Sequence, residues 1–69
     1  MEAVENQLKW YSAEMKALKA TKFKWYLRQR GIPFEPSSMS DGWVHFECYM
    51  TETEMEEVNK WIDENLKGE

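Results

Sequence analysis

Residues 43–50, WVHFECYM, alternate strictly between two kinds of side chain. Val44, Phe46, Cys48 and Met50 are apolar, while Trp43, His45, Glu47 and Tyr49 are amphipathic. A period of two with β-branched and aromatic enrichment predicts a strand with one buried and one more polar face. The run ends in Thr51-Glu52-Thr53-Glu54, a capping box with Thr at the N-cap and Glu three residues on. Met55, Val58, Trp61, Ile62 and Leu66 then form an apolar stripe at helical spacing, which predicts a helix over 52–66. Its acidic first turn complements the positive helix N-terminus.

Upstream, Ile32-Pro33-Phe34-Glu35 reads as a short edge strand, because neither Pro33 nor Pro36 can donate a ladder hydrogen bond. Residues 37–42, with Asp41-Gly42 at their end, carry turn chemistry. An antiparallel β-hairpin over 32–50 follows.

Residues 2–30 hold no Gly or Pro and are rich in helix formers. Val4, Leu8, Tyr11, Met15 and Leu18 share one helical stripe, but Phe23, Tyr26 and Leu27 sit roughly 90° away from it. A straight helix of this length would measure about 43 Å, against a globule about 28 Å across. The expectation is a helix over 2–19 that projects or oligomerises, a break near residue 20 with Thr21 as N-cap, and a second helix over 21–30 ending at Gly31. The fold class is therefore α+β, an α(α)ββα arrangement in a single domain spanning 1–69.

Sixty-nine residues bury a modest core. Cys48 is the only cysteine and His45 the only histidine, so neither an internal disulfide nor a histidine–cysteine zinc shell can staple it. A dense aromatic core, self-association or both must serve instead, and a homodimer is expected. No apolar run approaches the ~20 residues that cross a membrane. The first residues, MEAVENQL, lack the pattern of a signal peptide. With a lone thiol, a cytoplasmic location is expected.

Charge divides the chain. Residues 1–30 carry seven Lys/Arg against three Glu, and residues 31–69 carry two Lys against ten Asp/Glu. The basic segment 16–30 mixes cations with aromatics, as nucleic-acid binders do. Its cations scatter around the helical wheel, however, and the sequence pI is near 5.0, far from that of basic nucleic-acid-binding domains. Pairing of the basic half with the acidic half is favoured. Nucleic-acid binding through Lys22, Lys24, Arg28 and Arg30 is the alternative.

No catalytic residue, cofactor site or metal site is expected. His45 and Cys48 are three apart and point to opposite faces of a strand, so they cannot act as a pair. Asp41 and Glu47 could begin a metal-dependent nuclease motif, but Glu47-Cys48-Tyr49 lacks the lysine that closes it. There is no Gly-rich phosphate loop and no nucleophile elbow.

The stretch KWYLRQRGIPFE, residues 24–35, resembles the helix-glycine-strand passage of many small α/β proteins, a likeness of fold alone. Short, acidic, aromatic-rich chains of this kind also resemble the orphan proteins of phages and mobile elements, which act by binding and blocking a host protein. The expected function is a non-enzymatic protein-interaction module, homo-oligomeric, acting as a regulator or inhibitor. The residues expected to bind partners are Trp10, Trp25, Trp43, His45, Tyr49, Glu54, Glu57 and Asp63.

Overall fold

The computed structural model describes residues 7–66. They form β1 (Lys9–Lys16), α1 (Ala17–Arg30), β2 (Phe34–Ser38), a short 3-10 turn (Ser40–Gly42), β3 (Trp43–Met50) and α2 (Glu52–Asn65). The class is α+β: a three-stranded antiparallel sheet in the order β1-β3-β2, with both helices contributing to the core on one face. α1 crosses from β1 to β2, which run parallel on either side of β3, so the first half is a split β-α-β unit. Neither helix is long and apolar enough to cross a membrane.

The hairpin and the last helix form, but the first hairpin strand is shifted: β2 is Phe34–Ser38 where residues 32–35 were expected, and Ser37 and Ser38, expected in the turn, pair with His45 and Val44. Asp41 and Gly42 both adopt positive φ, 63° and 77°, and the Met39 amide donates to the Trp43 carbonyl at 2.8 Å to close the turn. The Glu54 amide donates to Thr51 Oγ1 at 3.1 Å, and the Thr51 amide donates back to Glu54 Oε1 at 2.9 Å. α1 ends at Gly31 with φ 70°, where the Ile32 amide reaches the Leu27 carbonyl at 3.0 Å and the Gly31 amide the Arg28 carbonyl at 3.1 Å, a Schellman motif.

The N-terminal third differs from expectation. Residues 9–16 are a strand, whereas a helix over 2–19 was expected; residues 2–6, with Val4, lie outside the described residues. α1 then runs unbroken from Ala17, so there is no interruption near residue 20. Lys16, extended at φ −70° and ψ 154°, stands at the N-cap where Thr21 was expected. Sheet pairing explains the strand. β2 is five residues long with Pro36 at its centre, so it leaves part of one edge of β3 and all of the other without a partner. β1 fills the second edge over eight residues, from Lys9 opposite Met50 to Lys16 opposite Trp43. Tyr11, Ala13 and Met15 turn inward under this pairing, and a tertiary contact of that extent overrides local helix propensity.

The core lies between sheet and helices. Phe23 and Leu27 of α1 meet Phe46 and Cys48 of β3, and these four are the largest fully buried side chains. The Phe23 and Phe46 rings pack edge to face at 5.0 Å. Trp61 of α2 stacks on Tyr26 of α1 at 4.2 Å and 11°, locking the helices together. Arg30 adds to that contact by donating to the Tyr26 hydroxyl at 2.8 Å and pairing with Glu57. Leu18, from the stripe that seemed continuous with Leu8 and Met15, is 92% exposed.

Candidate functional site: the open sheet face

In an antiparallel sheet, directly opposite residues share a face. The register therefore gathers Trp10, Ser12, Glu14 and Lys16 of β1, Trp43, His45, Glu47 and Tyr49 of β3, and Glu35 and Ser37 of β2 on the side away from the helices. Trp10 and Tyr49 meet at one end, their rings 5.0 Å apart and inclined at 42°. Trp43 stands opposite Lys16 at the other.

His45 holds the centre. Its Nδ1 lies 3.0 Å from Glu14 Oε2 and its Nε2 lies 2.9 Å from Glu47 Oε2. A carboxylate can only accept, so both contacts are hydrogen bonds when both ring nitrogens carry protons. The imidazolium is thereby favoured, and its pKa is raised from the usual 6.5, chiefly by Glu47 and then by Glu14. Glu35 faces Glu47 directly. Like charges opposed on a sheet repel, and the bond that His45 donates to Glu47 partly offsets that repulsion. The result is an acidic platform, with three glutamates against His45 and Lys16, bounded at both ends by aromatics.

Among the residues expected to bind partners, the structure brings together Trp10, Trp43, His45 and Tyr49. It separates the others. Trp25 is exposed on α1, in the helix layer. Glu54 closes the capping box, Glu57 pairs with Arg30, and Asp63 is exposed on α2. Sequence reasoning missed Glu14 and Glu35 because their place depends on the pairing of β1 and β2 with β3. The period-two pattern of residues 10–16, polar Ser12, Glu14 and Lys16 alternating with Tyr11, Ala13 and Met15, was the available signal.

The cations of the alternative reading do not form one surface. Arg30 is engaged by Glu57 and Tyr26, and the Arg28 guanidinium lies 5.8 Å from the Phe34 ring centre. Lys22 joins Lys16 and Lys19 along a groove of about 600 Å³ that Glu14, Trp43 and Leu66 also line. Cys48 is buried beneath the sheet, and burial, with a smaller contribution from the Glu47 charge, pushes its thiol up to about 11. Among the described residues no three His, Cys, Asp or Glu side chains are grouped to hold a metal ion. Comparison of the chain with protein-family models, curated proteins and solved structures returns no match.

Proposed function

We propose that the protein is a non-enzymatic interaction module whose open sheet face docks a basic protein partner. One observation carries the reading: Trp10, Tyr49 and Trp43 bracket Glu14, Glu35 and Glu47 on a face that no other described element covers. Aromatic side chains supply rigid contact area at low entropy cost, and the carboxylates select lysine- and arginine-bearing surfaces. A role as regulator or inhibitor of a partner in the cytoplasm fits this reading. The acidic face of α2 supports it less, because Glu54 and Glu57 already serve the cap and the Arg30 pair.

The test is a titration with an extended lysine- and arginine-rich peptide, followed by tryptophan fluorescence. Binding that weakens with salt and falls about tenfold or more in the Trp10→Ala and Glu35→Gln/Glu47→Gln variants is expected. Binding that survives both changes overturns the open face as the site. Preferential binding of single-stranded or duplex DNA, lost on Lys22→Glu/Lys24→Glu, overturns the reading in favour of the basic segment.

A further inference from the structure

The two outer strands of the sheet are built differently. β2 is short and carries Pro36 at its centre, with Pro33 just before it, a composition that discourages further pairing. β1 is eight residues long, pairs with β3 without a bulge, and has no proline; its single charge on the helix side, Lys9, stands at its first position, opposite Met50. Its outer row of backbone amides and carbonyls has no strand beside it among the described residues. Packing at this edge is also incomplete: a cavity of about 110 Å³ lies between β1 and α2, lined by Tyr11, Ala13, Met55 and Asn59 among others.

We propose that the free edge of β1 pairs antiparallel with β1 of a second copy, joining two sheets into one of six strands. This rests on reading the chain as an interaction module and specifies how it self-associates. A two-fold axis normal to the sheet keeps both open faces on the same side, so only residues from the same face can meet. With the axis at Ala13, Trp10 of one copy faces Lys16 of the other, Tyr11 faces Met15, and Ser12 faces Glu14. These are a cation over an aromatic ring, an apolar pair on the helix side, and a hydroxyl beside a carboxylate. Every cross-strand pair in this register is complementary or neutral. The two acidic platforms become one continuous surface.

Sedimentation equilibrium of the full chain, with Ala13→Cys oxidised under mild conditions, tests the pairing. The expected results are a mass twice the 8.3 kDa of one chain and a cross-linked dimer through Cys at position 13. The two Cα atoms across such an axis fall within disulfide range. Ser37→Cys on β2 is expected not to cross-link, and Ala13→Lys is expected to raise the dissociation constant about tenfold or more with an unchanged far-UV spectrum. If Ala13→Lys unfolds the chain, Trp10→Lys makes the same test by setting lysine against Lys16. A monomer at every concentration, or a dimer that cross-links through Ser37→Cys and not Ala13→Cys, overturns the inference. Peptide binding by the monomer would leave the functional reading intact, so the two can fail separately.

Discussion

Nδ1 of His45, on β3, lies 3.0 Å from Oε2 of Glu14, 31 residues earlier on β1. The contact ties the central strand to an outer one by a bond whose strength depends on pH. With Glu47 on the other ring nitrogen at 2.9 Å, the imidazole is held as an acceptor-flanked cation.

The first prediction concerns that cation. The folded pKa of His45 is raised above its unfolded value near 6.5. Its stabilising contribution is therefore fully present below about pH 6.5 and is lost as pH rises through the folded pKa. An NMR titration should place the His45 midpoint above 6.5, with Glu47→Gln lowering it more than Glu14→Gln. The pH dependence of the melting temperature in that window should vanish in His45→Gln.

Gly31 gives a test of backbone conformation without packing. Its φ is 70°, and a Cβ built there would meet nothing within 4 Å. Gly31→Ala should therefore cost about 1 kcal/mol through left-handed strain alone, and Gly31→Asn less. Urea midpoints with unchanged m-values are the measurement.

The capping box of α2 should behave as a local device. Thr51→Ala removes the acceptor for the Glu54 amide and should lower stability by about 1 kcal/mol. Glu54→Gln, which keeps the geometry, should lose less by the same denaturation measurement.

Core truncation should have a far larger effect. Phe23 and Phe46 are fully buried and in edge-to-face contact. Phe46→Ala should cost about 3–5 kcal/mol. The total stability expected of a chain this short is only about 3–10 kcal/mol. Circular dichroism at 37 °C should show a substantial unfolded fraction, and Phe46→Leu a much smaller one.

Cys48 should be chemically silent in the native protein. Its thiol is buried and raised to about 11. Thiol-specific labelling at pH 8 should proceed only as fast as the chain opens, and in denaturant at the ordinary rate.

The elements legible in the sequence were those with local punctuation. The Asp41-Gly42 turn, the Thr51 capping box and Gly31 each fix a boundary within a few residues of chain, so β3, α2 and the end of α1 could be read directly, while β2 was legible as an edge strand but lies at Phe34–Ser38 and not at 32–35. β1 has no such marker: nothing between Lys16 and Ala17 signals the change from strand to helix, and Tyr11, Met15 and Leu18 fit a helical stripe as well as Tyr11, Ala13 and Met15 fit a strand. What decides is the vacant edge of β3, at least 27 positions further on, where Trp43 opposes Lys16. The candidate site was legible to the same extent. Alternation in β3 set Trp43, His45, Glu47 and Tyr49 together, but Glu14 and Glu35 join them only by register, and the period-two pattern of residues 10–16 competes with a helical stripe through the same residues.

The central position of β3 has a consequence for the order of assembly. During synthesis β1 and β2 emerge before the strand that both must pair with, so neither has its native neighbour until the chain has passed Met50. The hairpin closes over a short loop, whereas β1 must return across α1 and β2, at a greater cost in loop entropy. Until then residues 9–16 have only their local preferences, which fit a helix and a strand alike. Docking of β1 is thus expected to be the late event of folding, the point at which an ambiguous segment is committed to a strand.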